Sequence, residues 1–201
     1  MAINLANNNS LANITALPSS ISGGAMTLLA TQTASSSSTI SFTSGIDDTY
    51  DSYVFKFYNM HPVTDEVWFQ FNMSIDSGSN YNVTKTTTRF RAKHSENNVE
   101  AVLEYRSGED LAQSTSAQKL MFYQGNGNDE SGSGSLTLYN PSSTVFVKHF
   151  ISTTNNSTAD NISTFHNTAG YGNTTSAIDA IQFSYTSGNI DSGVIKLYGV
   201  S

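Results

Sequence analysis

Four histidines are the first residues of this 201-residue chain to consider for chemistry, because imidazole can act as a base or bind a metal ion. They are His61, His94, His149 and His166. None is spaced from another as a helical metal pair requires. His149 lies in an alternating apolar run, which predicts a core histidine bonded to a backbone carbonyl. His61 precedes Pro62, which predicts a surface position in a turn between strands.

The segment Asn126–Gly132 gathers side-chain oxygens around glycines. Hard cations such as calcium prefer oxygen ligands of this kind. Its glycine and glutamate do not stand where a twelve-residue EF-hand loop needs them. Two interpretations therefore stay open, a cation site and a plain hairpin loop.

Enzymatic patterns are weak in this sequence. The nearest run to a Gly-x-Ser-x-Gly elbow, Gly132–Leu136, lacks that spacing, and no phosphate-binding loop of the Gly-x-x-x-x-Gly-Lys type occurs. Paired carboxylates could hydrolyse a glycoside, but nothing in the sequence says which two converge. The available carboxylates are Asp47, Asp48, Asp51, Asp65, Glu66, Glu104, Glu109 and Asp110. We therefore expect a non-enzymatic protein with no catalytic residue, cofactor or metal.

Aromatic side chains offer the remaining kind of site. Trp68 and Tyr105 could stack on a sugar ring, with neighbouring amides and carboxylates as hydrogen-bond partners. Tyrosine and tryptophan are also enriched at protein interfaces. Packing or an interface is the favoured interpretation for these rings, and glycan contact is the alternative.

Charge and composition exclude several classes of partner. The net charge is −7, the nine basic residues are scattered along the chain, and nucleic-acid binding is not expected. No apolar run is long enough for a transmembrane helix, so no membrane partner is expected. The first residues lack the basic and apolar regions of a secretory signal peptide. Of the 201 residues, 74 are Ser, Thr or Asn, which predicts a neutral polar surface and favours strands and turns.

Residues 1–24 form a separate N-terminal arm. Its apolar positions Leu5, Leu11, Ile14 and Leu17 recur among Asn and Ser, and Pro18 interrupts the spacing. A helix of that length is marginal in water by itself. The arm is predicted to dock on a partner or to mediate oligomerisation, and docking on its own domain is the alternative.

Residues 25–201 are predicted to form one antiparallel β-sandwich or jelly roll of roughly eight to ten strands, because apolar residues alternate and turn residues separate the runs. In the clearest strand, Glu66–Ser74, Phe69 and Phe71 share the buried face. Residues 100–105 are one further candidate strand. The predicted strands are Met26–Thr33, Ser38–Thr43, Tyr53–Met60, Glu66–Ser74, Asn82–Arg91, Gln118–Tyr123, Gly134–Tyr139, Thr144–Thr153, Ile178–Tyr185 and Gly193–Val200.

The C-terminal stretch Ala177–Val200 contains the pattern Ser-Gly-Asn-Ile-x-Ser-Gly-x-Ile-x-Leu-Tyr-Gly. It resembles the ending of a family of virion structural proteins from tailed bacteriophages, many of them marine. The resemblance extends to residues 39–53 and 5–28, and residues 92–135 match nothing in it. By its residue pattern the ending predicts two antiparallel strands, Ile178–Tyr185 and Gly193–Val200, joined by a Gly-Asn turn, with Ile181, Phe183 and Tyr185 pointing inward.

The resemblance implies a non-enzymatic structural protein on the exterior of a phage particle. Its implied location is the virion, with assembly in the host cytoplasm. Capsid decoration or cementing, with the major capsid protein as partner, is the favoured role. Homo-oligomerisation is expected, with a trimer as one option. A receptor-binding tail fibre or spike that contacts glycan through Trp68 and Tyr105 is the alternative.

Overall fold

A computed structural model describes residues 26–201, and within that range the chain is all-β, as predicted, with no helix that could span a membrane. The predicted arm, residues 1–24, lies outside the described residues, and so do Leu5, Leu11, Ile14 and Leu17. The strands are β1 (Thr27–Ser37), β2 (Ile40–Phe42), β3 (Ser52–Pro62), β4 (Phe69–Ser74), β5 (Lys85–Ser95), β6 (Ala101–Tyr105), β7 (Gln118–Lys119), β8 (Gly132–Tyr139), β9 (Lys148–Ser157), β10 (Ile162–Gly172), β11 (Ala180–Tyr185) and β12 (Ile190–Val200).

These twelve strands of the described range form two antiparallel sheets. The large sheet has the order β1-β12-β3-β8-β9-β10-β5-β6, and the small sheet has the order β2-β11-β4-β7. The predicted sandwich is confirmed, and its jelly-roll connectivity stays a prediction. The predicted number of strands was too low, mainly because β10 was not anticipated.

Aromatic side chains fill the space between the small sheet and the large one. Phe69 and Phe71 of β4 are buried as predicted. The ring of Phe183 in β11 lies at the centre of this cluster. Its ring centroid is 5.2 Å from Phe57, 5.4 Å from Phe55, 5.8 Å from Phe69, and 6.4 Å from both Phe42 and Phe71. This packing joins the two sheets into one hydrophobic core.

The last two strands do not pair with each other, so the predicted C-terminal hairpin is wrong. β11 pairs with β2 and β4 in the small sheet, whereas β12 pairs with β1 and β3 in the large sheet. The turn between them, with Gly188 at φ +69°, carries the chain from one sheet to the other. The predicted inward alternation of β11 is confirmed, because Ile181, Phe183 and Tyr185 are buried.

The inward side of β5, β9 and β10 is mostly polar, in contrast to the aromatic half of the large sheet. Residues 109–124, which include β7, cover this polar half, and Thr154 Oγ1 donates to the Leu120 carbonyl at 2.7 Å. The buried polar side chains of these three strands are Lys85, Thr87, Arg89, Arg91, Ser95, Lys148, Ser152, Thr154, Asn156, Thr164, His166 and Thr168. A polar inward row has no apolar alternation, and for this reason the sequence pattern missed β10.

Arg89 is the centre of a buried polar network in this half. Its Nε lies 3.0 Å from Glu109 Oε2 without hydrogen-bond alignment, and its Nη1 donates to the Lys119 carbonyl. Its Nη2 donates to His166 Nδ1 at 3.0 Å, which fixes His166 as a neutral ring with its proton on Nε2. Arg106 approaches Glu109 Oε1 at 2.7 Å. The network attaches the covering segment to the sheet.

We expect the free energy of unfolding to fall as the pH drops below about 6.5, the pKa of an exposed histidine. Burial lowers the pKa of His166 well below that value, and Arg89, Arg91 and Arg106 lower it further. Between this lowered pKa and about pH 6.5 the unfolded chain therefore binds a proton that the folded chain does not, and stability rises with pH by up to about 1.4 kcal/mol per unit.

Urea denaturation at a series of pH values measures this slope. His166→Asn, which retains a hydrogen-bond acceptor, should flatten it. His94→Asn, at an exposed position, should leave it unchanged. A wild-type stability that does not vary across this window would contradict the expectation.

Candidate interaction surface

Trp68 lies directly before β4 and its ring is already in contact with the protein. The ring packs edge-on against Phe122 at 5.8 Å and Tyr123 at 6.1 Å, and Lys119 Nζ lies 4.8 Å from its centroid. Its indole Nε1 is buried and has no hydrogen-bond partner among the described residues. Trp68 thus packs against the segment that covers the polar half of the sheet.

Tyr105 is the last residue of β6 and is 56% exposed. Its hydroxyl donates to Asp110 Oδ2 at 2.5 Å, and this hydrogen bond raises the pKa of Tyr105. Tyr105 lies at an edge of the large sheet, whereas Trp68 precedes a strand of the small sheet. No ring contact joins the two within residues 26–201.

His149 is exposed, so the prediction of a core histidine is wrong. In β9 the inward positions belong to Lys148 and Phe150 instead. Apolar residues lie on both faces of the predicted strand Thr144–Thr153, so the pattern did not decide which face points inward. Lys148 can occupy an inward position because its Nζ donates to the Phe146 carbonyl at 2.6 Å. The outward ring of His149 lies 5.9 Å from the ring of Tyr171.

His61 also differs from its prediction, because it lies within β3 and not in a turn. Its Nε2 is 3.1 Å from the Gly127 carbonyl and its Nδ1 is 3.3 Å from Asp191 Oδ2.

In the Asn126–Gly132 loop, Glu130 Oε2 accepts a hydrogen bond from the Gly127 amide at 2.5 Å. Residues 26–201 contain no group of three or more His, Cys, Asp or Glu that could hold a metal ion.

Five adjacent strands, β8-β9-β10-β5-β6, present a surface without any Asp, Glu, Lys or Arg, which we call the outer face. Side chains alternate along a strand, so these positions point away from the buried ones. The outer face consists of Ser133, Ser135, Thr137 and Tyr139; His149, Ile151, Thr153 and Asn155; Ser163, Phe165, Asn167, Ala169 and Tyr171; Thr86, Thr88, Phe90, Ala92 and His94; and Ala101, Leu103 and Tyr105.

Strand register arranges these side chains in continuous rows across the outer face. One row runs Ser135, Thr153, Asn167, Phe90 and Tyr105. The next row runs Ser133, Asn155, Phe165, Ala92 and Leu103. On the β8 side of the outer face, charge returns at the next strand pair, where Lys56 of β3 stands opposite Lys196 of β12. At the other edge, the Tyr105 hydroxyl donates to Asp110.

Large apolar side chains are exposed along the outer face. Leu103 is 74% exposed, and the other members of this set are Phe90, Tyr105, Tyr139, Ile151 and Phe165. An exposed apolar patch of this kind marks an interaction surface. The cores of protein interfaces are likewise poor in charge and rich in aromatic residues.

A shallow groove of about 410 Å³ opens on the outer face. The rings of Tyr139, His149 and Tyr171 line it, together with Ile151 and Thr88. A second depression of about 520 Å³ lies beside it and extends onto Phe146, which is 70% exposed. The groove and the depression are therefore suited to a neutral ligand.

Comparisons of the chain with protein families, curated proteins and solved structures found no match. The outer face was not predicted from the sequence, although one signal was present. Residues 131–175 contain only two charged side chains, which are Lys148, a buried residue, and Asp160, an exposed one.

Proposed function

We propose that this protein is a non-enzymatic structural protein of a tailed bacteriophage virion, bound to the particle exterior through its outer face. The single observation that carries the proposal is the absence of Asp, Glu, Lys and Arg from the outward positions of five adjacent strands, which expose large apolar side chains there. Burying such a surface removes apolar area from water without stripping any ion of its hydration. The resemblance of the C-terminal pattern supplies the phage context.

Capsid decoration is the favoured role, with the major capsid protein as partner. A sheet face about five strands wide offers a broad contact of the kind that holds one protein against a capsid surface. The arm at residues 1–24, with Leu5, Leu11, Ile14 and Leu17, supplies a second apolar contact to a neighbouring subunit in this proposal. In this proposal the outer face binds the particle and the arm joins neighbouring subunits, and neither contact contains a charged side chain.

Glycan binding, as part of a tail fibre or spike, is the second candidate function. The observation that favours it is the ring-lined groove formed by Tyr139, His149 and Tyr171, since aromatic rings stack on neutral sugars. Trp68 is less suited to this role because Phe122 and Tyr123 contact its ring. In this candidate function, Tyr105 at the edge of the outer face supplies a further exposed ring.

We expect Thr153→Lys to reduce the amount of this protein on purified particles by about tenfold or more. The new ammonium lies in the middle of the outer face, where it has no carboxylate to pair with and is costly to bury. Gln32→Lys in β1 is the matched control, because it adds the same charge at an exposed position of the same sheet. Quantitative protein staining of particles carrying each variant measures the loss.

The same particles separate the two candidate functions. If the protein decorates the capsid, particles that lack it should adsorb to host cells normally but should resist heat and osmotic shock less well. If the protein instead binds host glycan, Tyr171→Ala should abolish adsorption of the particles to host cells while the protein stays bound to the particle. Hundreds of copies per particle support the capsid, and a dozen or fewer support the tail. If Thr153→Lys leaves the copy number at the wild-type value, the outer face is not the attachment surface.

A further inference from the structure

Strand β6 forms one edge of the large sheet, with β5 on one side and no strand of the described residues on the other. It pairs with β5 over five consecutive positions without a bulge. The opposite edge strand, β1, has a shift of register between Leu28 and Ala30. Bulges are one of the devices that keep an edge strand from pairing with another chain. β6 has no bulge.

The hydrogen bonds to β5 determine which backbone groups of β6 are free. Arg106 donates its amide to the Arg89 carbonyl at 2.9 Å, and Ser95 donates to the Glu100 carbonyl at 3.0 Å. Hydrogen-bonded positions alternate along an antiparallel strand. Even-numbered residues of β6 therefore face β5, and the odd-numbered residues direct their amides and carbonyls toward the open edge. These residues are Ala101, Leu103 and Tyr105.

The side chains of the same three residues belong to the outer face, so the open edge is both apolar and uncharged. The one charged side chain in β6, Glu104, points inward, where its Oε1 accepts from Arg91 Nη2 at 2.5 Å. An inward-pointing charge is another device that protects edge strands, but Glu104 is held in an ion pair with Arg91 of the neighbouring strand. Neither lysine nor proline occurs in β6.

We infer that β6 pairs antiparallel with β6 of a second copy of this chain, on a two-fold axis that passes through Leu103. In that register Leu103 meets Leu103 of the partner subunit, and Ala101 meets Tyr105 of the partner subunit. All three positions have free backbone groups, so each pair forms its two ladder hydrogen bonds. Two identical edges are complementary here because apolar side chains meet apolar ones and no like charges come together.

Pairing through β6 closes the edge and joins two copies of the eight-stranded sheet into one. A two-fold contact of this kind is closed, whereas pairing β6 with β1 of the next copy would leave free edges and form chains of open length. The two outer faces become one continuous uncharged surface. The pairing uses groups of this chain alone, and it does not rest on the proposed virion role.

Sedimentation equilibrium of the purified full chain tests the dimer. We expect the wild type to have twice the 21.6 kDa chain mass across the micromolar range. Leu103→Lys should raise the dimer dissociation constant by about tenfold or more while leaving the strand-type circular dichroism of the folded chain unchanged. Leu28→Lys is the matched control, because Leu28 is 51% exposed on the other edge strand. That variant should remain a dimer.

Fluorescence then tests the register. The chain has no cysteine, so Leu103→Cys labelled with pyrene maleimide carries one dye. The two-fold pairing places both dyes at the axis and should give excimer emission. Head-to-tail pairing would separate them by the width of a sheet, roughly 30–40 Å, and give none. Val145→Cys, exposed in a loop, is the unpaired control.

A wild-type monomer throughout the micromolar range would overturn the inference. Dissociation by Leu28→Lys would instead indicate pairing between β1 and β6, and a dimer without excimer emission from position 103 would show that the copies meet through another surface. Thr153→Lys should leave the dimer intact, because β10 and β5 separate position 153 from β6. Particle attachment and dimerisation can therefore fail independently.

Discussion

Replacing Glu109 by glutamine is expected to lower the free energy of unfolding by about 3–5 kcal/mol, because it leaves buried arginine charge without its counter-ion. Both partners of the pair are buried, and Arg89 is completely enclosed. Burial lowers the pKa of Arg89 to about 10, which the nearby Glu109 carboxylate opposes. Without that carboxylate, Arg91 and Arg106 add only repulsion.

Urea denaturation with a double-mutant cycle measures this coupling. Arg89→Met combined with Glu109→Gln should be more stable than the sum of the single losses predicts, by up to about 3 kcal/mol. Glu96→Gln, an exposed carboxylate in the turn after β5, should change stability by no more than about 0.5 kcal/mol. Additive single losses would mean that the two side chains do not stabilise each other.

Replacing Phe183 by alanine is expected to lower the free energy of unfolding by about 3–5 kcal/mol. Its ring occupies the space between Phe55 and Phe57 of the large sheet and Phe69 of the small sheet, so its removal leaves a cavity that rigid rings cannot close. For a chain of this length the melting temperature should fall by roughly 6–20 °C.

Calorimetry measures this loss, and Phe146→Ala is the matched control. Phe146 is the same residue type at a 70% exposed position, so its truncation should cost less than about 1 kcal/mol. Equal losses for the two variants would show that the cluster around Phe183 does not hold the sheets together.

Local alternation was sufficient to predict the aromatic core. In β4 the inward set of Phe69 and Phe71 follows from period two, since buried apolar and half-buried polar residues alternate. The same rule failed for β9, where Lys148 points inward because backbone carbonyls accept its ammonium hydrogens. A long polar side chain with local partners can occupy a buried position that its chemistry alone would not predict.

The pairing of strands that are distant in the chain could not be predicted from the sequence. β11 and β12 are adjacent in the chain, and nothing local distinguishes a hairpin from a crossover between two sheets. The outer face exists only because β8, β9, β10, β5 and β6 become neighbours in the sheet. This brings together the uncharged outward residues of five separate strands. The sequence predicted residue types that suit an interface, and topology determined where they meet.

The composition of the outer face also determines how contacts through it respond to dissolved ions. Salt screens fixed charges, and an ion-paired contact therefore weakens as ionic strength rises. The outer face of these five strands carries no fixed side-chain charge for mobile ions to screen. Excluded salts such as sulfate strengthen apolar burial instead. We therefore expect any contact made through this surface to be at least as strong in concentrated salt as in dilute buffer.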